Sequence, residues 1–191
     1  MNTNYESQGK RIVDVVCSGT ALIVLSPLLL AASVAVRLSS RGPIIFKQAR
    51  VGAGGGKFTL LKFRTMPVNT AVVSSADAGG LAITPVGRVL RRTNVDELPQ
   101  LLNILRGEMS VVGPRPALPS QADLLLYRTL EGSGRLRPGL TGLAQINSFD
   151  GMQPKEKATW DETYARRVTF RGDLAIVLAT LRYLTKPPPR Y

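Results

Sequence analysis

The sequence predicts an α+β, helix-dominated fold whose N-terminal helix is embedded in a membrane. Three observations carry this expectation. Residues Val15 to Val36 form one apolar run divided by Ser26-Pro27. Two strand-like segments flank the glycines of 52–56, and four later stretches repeat apolar residues at helical spacing. In the 191-residue chain no internal repeat or second domain is evident, so residues 1–191 read as one domain. About 12–37 is its membrane helix, and about 43–191 is its cytosolic catalytic part.

At about 1.5 Å per residue the apolar run is roughly 33 Å long, against a hydrocarbon core of about 30 Å. Pro27 has no N–H for the carbonyl of Ile23, so a kink is expected there, with the Ser26 hydroxyl available to a freed carbonyl. Lys10-Arg11 precede the run and Arg37 and Arg41 follow it. Basic residues are retained on the cytoplasmic side, so charge at both ends favours a re-entrant helix that enters, bends and returns. A single-pass anchor with a tolerated proline is the alternative. The run is longer than the apolar core of a signal peptide, and no small-residue cleavage site follows it. Asp14 stands one turn after Lys10, where an i,i+4 pair is expected to satisfy it.

Beyond the membrane run, Ile44-Ile45-Phe46 and Phe58-Thr59-Leu60-Leu61 read as a short β-hairpin turning through Gly52-Ala53-Gly54-Gly55-Gly56. No Gly-Lys-Ser/Thr closes these glycines, so they are not a phosphate-binding P-loop. Val68 to Ala82 reads as a loop of small residues. A helix is expected over Glu97–Leu105, with Leu98, Leu101, Leu102 and Leu105 on one face and Gly107 closing it. Further helices are expected over Ser120–Leu130, Lys155–Arg167 and Leu174–Leu184. The last is apolar enough to lie on a membrane or a core, and Pro187-Pro188-Pro189 ends it.

The formal net charge is +12, with cations scattered rather than run together. That excess favours an anionic partner: nucleic acid, acidic lipid or a phosphorylated substrate. The membrane segment favours the last two. A membrane-tethered nucleic-acid-binding module is the rival reading, and the few aromatics and dispersed cations weigh against it. The single cysteine, Cys17, allows no intrachain disulfide. Histidine is absent, which excludes Ser-His-Asp triads and His-bearing zinc sites. Carboxylates and oxygen-liking cations remain as the expected chemistry.

Two segments stand out. Arg91-Arg92-Thr93-Asn94-Val95-Asp96-Glu97-Leu98-Pro99-Gln100 places adjacent carboxylates at the start of a leucine-faced helix. Pro99 suits a first turn, where its missing N–H is not needed. An acid there is either an ordinary cap or a group held at the positive end of a helix dipole, where phosphate and metal also bind. In Gly113-Pro114-Arg115-Pro116, two prolines hold the arginine backbone extended, which lowers the entropy lost on binding. Its planar fork suits phosphate oxygens, although an arginine in a proline-rich turn can be purely structural. Lys62-Phe63-Arg64-Thr65 adds two cations near the end of the second strand. Arg137-Pro138-Gly139-Leu140-Thr141-Gly142 reads as a compact turn.

These motifs, in this order and spacing, resemble the bacterial sugar transferases that are monotopic polyprenyl-phosphate phosphoglycosyl transferases. The Lys10-Arg11 start, the Ser26-Pro27 break and the Trp160, Asp161, Tyr164 and Asp173 pattern resemble that family too, and the length is similar to its small, catalytic-core-only members. Two positions depart from the pattern: Leu143 stands where the family usually has Trp, and Ser148-Phe149-Asp150 where Gly-Arg is common. The resemblance implies transfer of a sugar 1-phosphate from a UDP-sugar to undecaprenyl phosphate, with release of UMP, as the first membrane step of glycoconjugate assembly. It implies Asp96 as nucleophile through a covalent phosphosugar, with Mg²⁺ at Asp96. Glu97 is implied as a second catalytic acid that positions metal or acceptor. Arg115 is the expected phosphate clamp, with Arg91, Lys62 and Arg64 as further substrate-binding cations. The implied setting is the cytoplasmic leaflet of the bacterial inner membrane, held by a re-entrant helix and interfacial amphipathic helices.

Overall fold

A π-helical turn, Tyr5–Gly9, leads into α1, Lys10–Val24, and after Leu25 the chain resumes as α2, Ser26–Ser39. In this computed structural model, which describes residues 5–68, 70, 83–147 and 152–184, the two helices meet at 64°. The break has the local cause expected of it. Leu25 leaves helical geometry at φ −90°, ψ 4°, and the Ser26 hydroxyl donates to the Ile23 carbonyl at 2.8 Å. Pro27 cannot supply that bond, and the serine does. Neither helix alone is long and apolar enough to cross a membrane; the bent pair passes that test only together. Ile12, Val16, Ile23 and Val24 on α1, and Leu30, Val34 and Leu38 on α2, are more than half exposed. The pair therefore presents an apolar outer surface.

Strand β1, Ile45–Val51, pairs antiparallel with β2, Lys57–Phe63, with Ile45 opposite Phe63 and Val51 opposite Lys57. The 3₁₀ turn Ala53–Gly55 joins them, and Gly54 and Gly55 supply its positive φ values of 63° and 82°. Helix α3, Pro85–Arg92, follows. Thr84 caps it by accepting from the Gly87 N–H at 2.9 Å, and Pro85 occupies the first turn. A 3₁₀ turn, Val95–Glu97, then feeds α4, Gln100–Arg106, which ends on Gly107 at φ 84°.

The second half is built on a two-stranded parallel sheet, β3 (Ser110–Val112) beside β4 (Gly139–Thr141). Around it stand α5 (Ala122–Leu130), the short α6 (Leu143–Asn147), α7 (Pro154–Arg166) and α8 (Phe170–Leu184). Four apolar residues of α8, Phe170, Leu174, Leu178 and Leu181, form an exposed stripe.

Several expectations are corrected. The segment 137–142, read as a compact turn, contains β4. Its glycines permit the pairing: a Cβ on Gly139 would lie 2.1 Å from the Gly113 nitrogen. Helix α4 starts at Gln100 rather than Glu97, and Leu102 is 40% exposed. Its buried side is Leu101 and Ile104 with Gln100 and Asn103, because Asn103 turns inward to serve β2. Asp14 does not pair with Lys10. It is 1% exposed and its Oδ1 accepts from the Ser110 hydroxyl and the Val111 N–H, both at 2.9 Å. Lys10 instead reaches Asp173 of α8 at 2.6 Å. A carboxylate facing β3 is buried and takes the nearest donors, which come from a distant part of the chain. The expected loop over Val68 to Ala82 falls mostly outside the described residues, as do Ser148-Phe149-Asp150 and the Pro187-Pro188-Pro189 tail.

Two apolar clusters connect the bent helix to the rest of the chain. Leu29, Ala32 and Val36 of α2 pack with Phe63, Leu90 and Val95. Ala21 and Leu22 of α1 pack with Leu60, Leu98, Leu101, Ile104 and Met109. Val95 and Leu98 bracket Asp96-Glu97, so the acid pair is held between the two arms of the broken helix. Arg11 adds a polar tie, donating to the Ile104 and Leu105 carbonyls at 2.6 and 2.8 Å, at the negative end of α4.

Asn103 fixes β2 against α4. Its Oδ1 accepts from the Leu61 N–H at 3.1 Å, and its Nδ2 donates to the Thr59 carbonyl at 2.8 Å and to Glu108 at 2.6 Å. Asn103→Leu keeps the branched shape but removes the partner of the buried Leu61 N–H and of the Thr59 carbonyl. The expected loss is about 1–3 kcal/mol, seen as a lower Tm in thermal melts of the detergent-solubilised protein.

Candidate active site

The carboxylate of Glu97 is gripped by two cations delivered from different parts of the fold. Lys62, on β2, donates its Nζ to Glu97 Oε1 at 2.6 Å. Arg115, on the loop after β3, reaches the same oxygen through Nη2 at 3.5 Å. Burial works to raise the carboxyl of Glu97, but Lys62 and then Arg115 outweigh it and hold it at about 2. Glu97 is thus a permanent anion inside a cluster with one excess positive charge.

Asp96 is treated differently by the same turn. It is 7% exposed, and burial pushes its carboxyl up to about 6, with Glu97 adding to the rise while Lys62 and Arg91 oppose it. Two adjacent acids therefore have widely separated proton affinities, the pattern by which environment divides roles between carboxylates. Asn94 sets up the turn. It holds φ 54°, ψ 15°, the left-handed region that asparagine tolerates, and reverses the chain between α3 and the acid pair.

The structure brings together Lys62, Asp96, Glu97 and Arg115, with Arg91 close enough to act on Asp96. Arg91 is aimed by Thr65, whose hydroxyl accepts from its Nε at 2.9 Å. Arg64 is placed elsewhere. It is buried, and its guanidinium donates to the Arg41 and Ser40 carbonyls and to the Ser40 hydroxyl at 2.8–3.0 Å. In this structure Arg64 ties the end of β2 to the end of α2 and stands apart from the Lys62–Glu97–Arg115 cluster.

The bacterial sugar transferase family profile matches residues 5–187. The chain belongs to that family. It is 42% identical over 181 residues to the UDP-glucose:undecaprenyl-phosphate glucose-1-phosphate transferase of Caulobacter vibrioides, covering 90% of this chain and 68% of that protein. It is also 42% identical over 183 residues to the transferase of the same name from Klebsiella pneumoniae, covering 90% of this chain but 39% of that one. The exopolysaccharide production protein PSS of Rhizobium leguminosarum bv. phaseoli is 38% identical, with 90% of this chain and 92% of that protein covered. The chain thus spans about two-fifths of some curated relatives and nearly all of others.

For a member of this family the donor set can be tested against Mg²⁺. Among the described residues no three acidic or cysteine side chains form a cluster able to cage a metal. Mg²⁺ commonly uses one or two carboxylates and completes its shell with water and substrate phosphate. Glu97 is already neutralised by Lys62 and Arg115, which leaves Asp96 as the free carboxylate beside it. The residues fit a cation brought with a diphosphate, and Asp96 would hold it.

Two arginines that the sequence did not single out reach the Arg115 loop. Arg128 of α5 and Arg50 of β1 both donate to its backbone. Neither lies in a motif that composition or spacing would mark, although Asp161, the partner of Arg128, was part of the resemblance.

Proposed function

We propose that the protein transfers a sugar 1-phosphate from a UDP-sugar to polyprenyl (undecaprenyl) phosphate, releasing UMP, with Asp96 as nucleophile. The observation that carries this is the division between the two acids: Glu97 is locked by Lys62 and Arg115, while Asp96 is buried and not locked. In the first half-reaction an oxygen of the Asp96 carboxylate attacks the phosphorus that bears the sugar. The bond from that phosphorus to the UMP oxygen breaks, and UMP leaves with the electron pair. In the second, an oxygen of the polyprenyl phosphate attacks the same phosphorus and the Asp96 carboxylate departs. Both nucleophiles are anions, so neither half needs a histidine base. Bound Mg²⁺ supplies charge neutralisation for the phosphates. Lys62, Arg91 and Arg115 favour the approach of a diphosphate to a carboxylate it would otherwise repel. The names of the relatives make UDP-glucose the first donor to test.

The expected result is UMP release from UDP-glucose or another UDP-sugar, dependent on Mg²⁺ and complete turnover only with undecaprenyl phosphate. Absence of UMP release across a panel of UDP-sugars would remove the reading. Nothing in the site or the comparisons favours the nucleic-acid alternative.

The same reading takes the bent pair α1–α2 as a re-entrant element in the cytoplasmic leaflet of the inner membrane. Its support is the 64° bend, the exposed apolar outer surface and the cations at both ends. With Cys17 replaced by Ser, single cysteines near residues 5 and 45 should both resist periplasmic labelling in intact cells. Labelling of the N-terminal position alone would establish a single-pass anchor.

A further inference from the structure

The backbone that carries Arg115 is held at four consecutive carbonyls. That of Pro114 accepts from the Gly139 N–H at 2.8 Å, and that of Arg115 from Arg128 Nη1 at 2.9 Å. That of Pro116 accepts from Arg50 Nη1 at 2.9 Å, and that of Ala117 from the Val51 N–H at 3.0 Å. Two donors are strand amides and two are arginine side chains. The arginines are themselves fixed. Arg128 points Nε and Nη2 at Asp161 Oδ2, at 2.8 and 2.6 Å, with both side chains buried. Arg50 points Nε and Nη2 at Gln48 Oε1, at 3.0 and 2.5 Å.

The Arg115 side chain needs this support. It is 48% exposed, and its contact with Glu97 is long, at 3.5 Å. Its own packing does not decide where the guanidinium points, so its direction depends on the backbone. A buried Arg–Asp pair is a poor source of net stability, because desolvation offsets attraction. Its third arm ends on the Arg115 carbonyl.

We infer that Arg128, oriented by Asp161, is a positioning residue that sets the Arg115 guanidinium for the substrate phosphates, and that Arg50, oriented by Gln48, performs the same task one residue later. The inference rests on the reading of Arg115 as a phosphate clamp. The geometry requires arginine: one planar fork must serve a side-chain oxygen, the Asp161 carboxylate for Arg128 and the Gln48 amide for Arg50, and, along a different edge, a backbone carbonyl. A lysine can serve one or the other.

The test is a double-mutant cycle on the full-length chain in detergent, with UDP-glucose, or the UDP-sugar it uses, and undecaprenyl phosphate as substrates. Arg115→Ala should lower kcat/KM. Arg128→Lys should lower it at least about tenfold, mostly through KM for the nucleotide sugar, with little change in Tm. In the Arg115→Ala background, Arg128→Lys should cost almost nothing more. If Arg128→Lys does not fold, Arg50→Met enters the same cycle and should show a smaller loss that also vanishes without Arg115. Additive losses, or a wild-type rate for both Arg128→Lys and Arg50→Met, overturn the inference while leaving the clamp intact. A wild-type rate for Arg115→Ala overturns the clamp itself, and the inference with it.

Discussion

Asp96→Asn is expected to lower turnover on the order of 10⁴-fold or more, the scale on which removal of a nucleophile acts, while making the protein more stable to heat. Both effects come from one carboxylate. The amide keeps the shape and cannot attack phosphorus. The stability gain follows from burial, which raises the carboxyl from its ordinary 3.8 to about 6 in the folded protein. The native state then binds that proton more tightly than the unfolded state does. As pH rises through the interval from about 4 to 6, the contribution of Asp96 to stability falls, and at neutral pH its ionised form costs on the order of 3 kcal/mol. Asn carries no charge to desolvate. In the absence of Mg²⁺ and nucleotide, its Tm at pH 7.5 should exceed that of the wild type, and the difference should shrink towards pH 4. A variant that loses both activity and stability would show Asp96 to be a structural acid.

Lys62→Met should be the next most damaging change at neutral pH, and the cause is visible in a pH profile. Lys62 is the strongest opposing influence on the raised carboxyl of Asp96 and the closest partner of Glu97. If Asp96 must be ionised to react, wild-type kcat/KM should rise with pH through about 6 and then level. Removing Lys62 withdraws a stabilising cation from both acids. The acid limb should move to higher pH, so that activity at pH 7 falls by one to two orders of magnitude and recovers partly by pH 9. A lower plateau with an unmoved limb would mean that Lys62 binds substrate but does not set the ionisation of Asp96.

The features legible in the sequence are those whose cause is local. Pro27 removes one hydrogen bond wherever it stands, and Ser26 beside it can replace that bond, so a break at Ser26-Pro27 could be expected; the residue that leaves helical geometry is the adjacent Leu25. The β1–β2 hairpin was visible because glycines of positive φ separate two apolar strands. Helix α3 was not, because Val86 and Leu90 are its only well-covered apolar residues among arginines. The β3–β4 pair was hidden for another reason. Three-residue strands carry no period, and their register is set by a partner nearly thirty residues away in sequence. Asp14 shows the same limit: an i,i+4 lysine is the local guess, while the actual donors lie on β3. In the site, Asp96, Glu97 and Arg115 were marked by their neighbours in the chain. What spacing could not show was the partition of cations: Lys62 holds Glu97, and Arg64, two residues on, secures the end of α2.

As the proposed nucleophile, Asp96 should carry the phosphosugar between the two half-reactions. The most direct test is the intact mass of the full-length protein after incubation with its UDP-sugar and Mg²⁺, without polyprenyl phosphate. The expected result is a mass increase of one sugar phosphate, located by peptide mapping at Asp96, absent in Asp96→Asn and discharged when polyprenyl phosphate is added. UMP released only in the presence of polyprenyl phosphate, with no adduct trapped on the protein at any time, would contradict it.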